Sequence, residues 1–471
     1  MSVAIWVGRG LAADGLAYLA GYGDEPSSHW LEVVDAAAHL AGTTVEVGVG
    51  PDALMPVRRT SIPQVAHTHR HLRVSYSYFR GVPAPLTNGG VNEHGVAVRD
   101  VWSPSRAELV AATPPDQSGL SYSDLARIAL ERATSAREAM EILGELVDRH
   151  GDASYGGNSH LVDDADEAWV VVQYAGGLGL WCAERLGPHD LRVSRPGWIG
   201  VIEPDDTEHF RHSANFFDVA RDRRWWRDGE AFDACAVYGD GLGPWPGARW
   251  VEEQLRAVAP SIALADVAGI LRSPRLTGDT AGYGQIVPLG PTTHPETRVM
   301  WHAAIGAIAA PFVPVYMGVR QVPEEYRMHR YLTVGESSRF VDRRHADRGD
   351  FGSFSAVSQG IESTRSAVAV HKRLLFLVLQ HHEEYLPEVR AVWEGLERRL
   401  ERLDATTRAA ASVLLSTGHA EEARDLLTYV TTTELTAALD LADTLAAAYE
   451  ARTRAVYGIN PTSLEGPAQL W

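Results

Sequence analysis

Ser2 follows Met1 and opens an apolar run, Val3-Ala4-Ile5-Trp6-Val7-Gly8. A small second residue permits removal of the initiator methionine. That would leave a hydroxyl and an unblocked α-amine on one residue, a nucleophile with a built-in base. The ordinary pKa of such an amine, about 7.7–8.0, leaves a useful neutral fraction at cellular pH. A second run, Leu16-Ala17-Tyr18-Leu19-Ala20-Gly21-Tyr22-Gly23, ends in the carboxylate of Asp24.

Two other clusters invite a chemical reading. In a strand, His67, His69 and His71 would share one face, as metal ligands can. No matching carboxylate or cysteine motif accompanies them in the sequence, so no metal is expected there. His381-His382-Glu383-Glu384 lacks the His-Glu-x-x-His spacing that sets two imidazoles on one helix face, and it reads as a solvated helix end.

The elements that must position these groups fall into two textures. Up to about residue 350, apolar runs bounded by Gly, Pro and Asn predict strands, including 71–76, 95–98, 168–172 and 191–193. Between them lies a helical hairpin. Leu125, Ile128 and Ala129 have one-face spacing after Ser123, and Ser135 with Glu138 forms a capping-box pattern ahead of Ala139, Ile142, Leu143 and Leu146. Strands, a helix pair and further strands predict an α+β fold with sheets covered by helices. From about Glu362, Gly and Pro become scarce and Ala, Leu, Glu and Arg dominate. The pattern predicts four or five helices at about 362–384, 387–403, 406–417, 419–429 and 432–456, ending near Gly458. The organisation expected is a 1–350 mixed domain with a 351–471 helical region packed on it.

Composition bounds the setting. Of 471 residues, 61 are acidic and 43 basic, a net charge of −18 that argues against a nucleic-acid partner. Two cysteines, Cys182 and Cys235, exclude a disulfide framework and fit a reducing cytoplasm. No apolar run reaches the roughly 20 residues that span a bilayer, and no secretory leader is recognisable, so neither a membrane partner nor export is expected.

Three further segments join Ser2 and Asp24 in order along the chain: Val91-Asn92-Glu93-His94-Gly95-Val96, then Tyr155-Gly156-Gly157-Asn158 leading to Glu167-Ala168-Trp169-Val170-Val171, and Phe312-Val313-Pro314-Val315-Tyr316. With the opening strands and Ser135-Ala136-Arg137-Glu138-Ala139, this order resembles the N-terminal-nucleophile dipeptidases, the group of dipeptidase A and the secernins. The resemblance implies an Ntn-hydrolase αββα four-layer sandwich. It also implies amide hydrolysis through an acyl-enzyme, without cofactor or metal, on a dipeptide or other small-molecule substrate.

Carried onto this chain, the resemblance makes Ser2 the nucleophile where the family has Cys. Asp24 would steer the terminal amine, Asn92 marks the signature loop and Asn158 lies in the strand that flanks the site. Two departures stand out. The family usually places an Arg three residues before the Asp, where this chain has Gly21. In place of an oxyanion-hole Asn it offers Ser194-Arg195-Pro196, so Arg195 is the expected oxyanion donor. These departures leave two alternatives to a hydrolase: an acyltransferase acting on a small specialised metabolite, or a catalytically degenerate Ntn-fold protein. The helical tail is the expected surface for any homo-oligomer.

Overall fold

The structure, a computed structural model, describes residues 2–24, 29–48, 57–79, 82–153, 156–278, 280–328 and 365–458. Met1, Tyr155 and the expected boundary at 350/351 lie outside the described residues.

Two antiparallel sheets carry the architecture. The six-stranded sheet contains β1 (Val3–Val7), β2 (Ala17–Gly23), β10 (Leu191–Ser194), β12 (Tyr283–Leu289), β13 (Val299–Ala303) and β14 (Val313–Tyr316), in the order β10-β1-β2-β12-β13-β14. The eight-stranded sheet contains β3 (His29–Val34), β4 (His71–Phe79), β5 (Val82–Asn92), β6 (Ala97–Trp102), β7 (Asn158–Asp163), β8 (Ala168–Gln173), β9 (Trp181–Leu186) and β11 (Phe210–His212). Its order is β11-β9-β8-β7-β6-β5-β4-β3.

The period-two geometry of a strand explains the continuous apolar run in β8. Val170 and Val172 belong to the core shared with the six-stranded sheet, whereas Trp169 and Val171 belong to the core shared with a helix pair. Both faces of β8 are covered, so nothing on it alternates with polar residues. That helix pair is α1 (Tyr122–Arg132) and α2 (Ala136–His150). Ser121, two residues before the expected start, caps α1 in a reciprocal box with Asp124. Ser135 caps α2 by accepting from Glu138 N, but the Glu138 carboxylate turns to Thr134 instead of returning to Ser135.

The outer face of the six-stranded sheet is covered by α3 (Pro246–Val258), α4 (Leu264–Leu271), α6 (His382–Ser416) and α7 (Ala420–Tyr457), with α5 (Ala367–Gln380) packed on α6 and α7. Among the described residues the C-terminal helices are fewer and longer than the sequence predicts. Pro387 sits near the start of α6 without ending it, and nothing between 403 and 406 breaks it. The Thr431-Thr432-Thr433 run stays inside α7, because Thr431 is buried and packing overrides a weak propensity penalty. The breaks fall at His381, between α5 and α6, and around Gly418, between α6 and α7, where a φ of 84° suits a residue without Cβ.

A buried ion pair helps fasten this helical layer. Arg272, just after α4, bonds Glu397 of α6 at 2.5 Å and the Ala307 carbonyl at 3.1 Å, while Phe312 N donates to the same Glu397 oxygen at 2.8 Å. Burial pushes the Glu397 carboxyl up and Arg272 pulls it back. Breaking a buried pair strands a charge, whereas replacing both partners does not. Arg272→Met is therefore expected to destabilise the protein by about 3–5 kcal/mol, and Arg272→Met with Glu397→Leu to recover most of that loss, as measured by chemical denaturation.

Candidate active site

The N-terminal strand is an interior strand. β1 pairs with β2 (Val3 opposite Tyr22, Ala4 opposite Gly21) and with β10 (Ala4 opposite Ser194). Every residue of β1 is fully buried. Continuing both registers one step beyond Val3 places Ser2 beside Gly23-Asp24 on one side and Arg195-Pro196 on the other. The hydroxyl of Ser2, a residue only 8% exposed, accepts a hydrogen bond from Asp24 N at 3.3 Å. The Asp24 carboxylate in turn accepts from the Thr280 hydroxyl. Ser2 and the Asp24 backbone thus lie together, as the resemblance implies for their positions, and Thr280 joins them from a segment that carried no signal of its own.

Arg195 stands on the other flank. It donates to the Tyr22 hydroxyl and to the Leu276 carbonyl at 2.6 Å, and its guanidinium lies 4.5 Å from the Trp245 ring. Among the described residues its Nε–H is buried without a protein partner, as is the neighbouring Ser194 hydroxyl. Burial pushes the Tyr22 hydroxyl up to about 12 against the pull of Arg195, so it stays a neutral donor to Leu276.

Gly21 explains the missing arginine. A Cβ at this position would lie 2.1 Å from the Val3 carbonyl oxygen, so β1 and β2 pair too closely there for any side chain. A cation nevertheless reaches the same corner from the facing sheet. Arg99 of β6, fully buried, donates to the Tyr22 carbonyl and is held by Asn88 and, at 3.0 Å, by Asp100. Nothing in the sequence singled out Arg99, because its partners come from three separate strands.

The structure places the two asparagines elsewhere. Asn92 ends β5, where its amide donates to the Leu130 and Ala133 carbonyls at 3.1 and 2.7 Å, and its oxygen accepts from His94 N and Val96 N, each at 3.0 Å. Its amide is fully engaged, and it ties the β5–β6 turn to the end of α1. Asn158 lies on the helix-facing side of β7. Two residues on, His160 bonds the Tyr122 carbonyl of α1, while Ser159 faces the other way, toward Gly197. Asn158 lines a small cavity with Tyr122, Asp152 and Gln173, and its oxygen and the Gln173 amide nitrogen have no protein partner among the described residues. Of the five expected site residues, Ser2 and Asp24 are in contact; Arg195 lies just past the neighbouring strand with Tyr22, Leu276 and Trp245 as its partners, and Asn92 and Asn158 lie elsewhere.

A larger cavity of about 540 Å³, within the range of small-molecule pockets, adjoins the 195–198 loop. It is lined by Trp198, Cys235, Arg249, Glu252 and Arg256 among others, and not by Ser2.

Comparison with known proteins bears on the framework. Residues 58–241 match Peptidase family C69. Dipeptidase A of Lactobacillus helveticus is 25% identical over 156 residues, covering 32% of this chain and 32% of that protein, so the similarity spans about a third of the relative's length. Two solved structures of the conjugated bile acid hydrolase from Clostridium perfringens, each of a single-residue variant, are also similar. One aligns at 12% identity with a TM-score of 0.29, and the other at 13% with 0.28; each alignment covers 64% of this chain and 89% of that one. The C69 match includes Asn92, Asn158 and Arg195 but neither Ser2 nor Asp24.

Two outcomes follow from this geometry. Gly21→Arg is expected to lower the melting temperature sharply, because its Cβ collides with backbone, and not to restore a family-like arginine. Burial raises the Asp152 carboxyl to about 7. A carboxyl with a raised native pKa contributes its stability at low pH and loses it as pH rises from its unfolded value, about 4, through 7. Asp152→Asn should therefore stabilise the protein relative to wild type more at pH 8 than at pH 5, as read by paired denaturation curves.

Proposed function

We propose that this protein is a member of the C69 dipeptidase group with an Ntn-type αββα sandwich, and that it hydrolyses the amide bond of a dipeptide or similar small molecule using Ser2. The observation that carries this reading is the Ser2–Asp24–Thr280 arrangement at the start of an interior strand. Once Met1 is removed, the α-amine of Ser2 accepts the proton of its own hydroxyl, and Oγ attacks the substrate carbonyl carbon. The amine returns that proton to the leaving nitrogen as the C–N bond breaks. Water then attacks the acyl-serine ester, releasing the acid and restoring the hydroxyl. Asp24, held by Thr280, orients the amine. Arg195, with its unpartnered Nε–H, supports developing oxyanion charge, a role whose loss typically costs on the order of 10²–10³ in rate. Arg99 adds a buried positive charge beneath Tyr22 that opposes protonation of the nearby amine. Two unbridged cysteines suit the cytoplasm as the working compartment.

A second reading, an acyltransferase or a non-catalytic relative, draws on the exclusion of any side chain at position 21 and on Arg195 being already bonded to Leu276 and Tyr22. Electrophilic acyl probes separate the readings. Intact-mass analysis of demethionylated protein should show one adduct on Ser2, and hydrolysis of a dipeptide panel should fall roughly 10⁴–10⁶-fold in Ser2→Ala, while Ser2→Cys retains turnover. An unlabelled Ser2, or activity surviving Ser2→Ala, overturns the nucleophile assignment. Products formed only with an added amine identify a transferase.

A further inference from the structure

The histidine cluster set aside in the sequence has a carboxylate after all. His67, His69 and Glu93 each present a ligand atom, and these atoms lie within 4.8 Å of one another. Glu93 arrives from the β5–β6 turn, far from the histidines along the chain. Backbone clamps hold it there: Glu93 N donates to the Arg70 carbonyl at 2.8 Å, and Arg70 N donates to Glu93 Oε1 at 2.9 Å. His69 N is fixed to the Glu131 carbonyl at 2.8 Å.

The expected three-histidine strand face does not form. The strand His67–Thr68 pairs with Ala37–Ala38, and β4 begins only at His71, whose ring turns inward and bonds the His69 carbonyl at 2.9 Å. The third imidazole is supplied by His94. Its Nε2 lies 3.2 Å from His69 Nδ1, with the rings 4.2 Å apart, and His67 packs edge-on to His69 at 5.9 Å.

We propose that His67, His69 and Glu93 form a binding site for a divalent transition metal of the zinc class, with His94 Nε2 beside the same His69 nitrogen that faces Glu93. Two imidazoles and one carboxylate are a donor set such ions favour, with a remaining position open to water. Bonds of about 2.0–2.1 Å require tetrahedral donors roughly 3.4 Å apart, so side-chain rotation of about 1 Å brings the three atoms to bonding distance. The neighbouring cations have other partners. Arg70 bonds Asp35 and the Met317 carbonyl, and Arg298 bonds the Glu93 and Gly290 carbonyls; neither guanidinium occupies the Glu93 carboxylate. The ion would clip the His67–Thr68 strand to the β5–β6 turn, two segments otherwise joined through backbone contacts.

The test uses full-length protein without a histidine tag, stripped of metal and titrated with Zn²⁺ and with Co²⁺. One equivalent should bind, Co²⁺ should develop visible d–d absorption, and Zn²⁺ should raise the melting temperature. His69→Ala and Glu93→Gln should abolish the Co²⁺ spectrum, with unchanged far-UV circular dichroism. Absence of stoichiometric binding, or equal binding by wild type and His69→Ala, overturns the site. The readout is independent of any turnover at Ser2.

Discussion

The geometry of the candidate site depends on one constraint: the first strand of the chain is not an edge. β1 is held on both sides, by β2 and by β10, and each of its five residues is buried. Chain termini ordinarily fray because few contacts cross them. Here the residue that precedes β1 is pinned by two antiparallel ladders, so a side chain that would otherwise wander has a fixed address. β10 spans Leu191–Ser194, and β12, which pairs β2 from the far side, comes later still at Tyr283–Leu289. The site therefore cannot form until most of the chain is in place, and its position is a property of the whole six-stranded sheet.

That close packing also dictates where charge can enter. The β1–β2 approach leaves no room for a Cβ at Gly21, so no side chain enters from that position. The facing sheet supplies Arg99 instead, through the Tyr22 carbonyl, and the loop after β10 supplies Arg195. Both guanidiniums are buried, and burial of a charge is tolerable only with good partners. Asn88 and Asp100 serve Arg99, while Tyr22, Leu276 and the Trp245 face serve Arg195. Among the described residues the Nε–H of Arg195 has no protein partner, which leaves it capacity for a further acceptor.

Local patterns were legible in the sequence where local physics decides them. The opening strands, β8, the α1–α2 hairpin and the Ser135 cap follow from periodicity and capping alone. Proximity of Ser2 to Asp24 followed from the resemblance, and the hairpin of β1 and β2 realises it. What could not be read depends on pairing across long separations. Nothing local to Arg99, Thr280 or Glu93 reports which strands will lie opposite, and Asn92 entered through the resemblance to the signature loop, whereas its hydrogen bonds tie a turn to the end of α1. The helix boundaries failed for a related reason: Pro387 and the threonine run weaken a helix locally, but the apolar faces of α6 and α7 are buried over most of their lengths, and tertiary packing prevails.

The division of similarity across the fold sharpens the functional argument. The C69 match, residues 58–241, takes in most of the eight-stranded sheet and its helix pair, yet of the six-stranded sheet it includes only β10. The proposed nucleophile and its aspartate lie outside it. A shared framework constrains where a site can be built, but chemistry belongs to the particular side chains placed there. In this chain the matched segment holds Arg195 and Arg99, whereas the proposed reacting groups lie outside it. The two buried cations are coupled through Tyr22, the residue before the Gly23 that lies opposite Ser2. A change on either sheet that shifts Tyr22 therefore disturbs both cations at once, since Arg99 grips its carbonyl and Arg195 its hydroxyl.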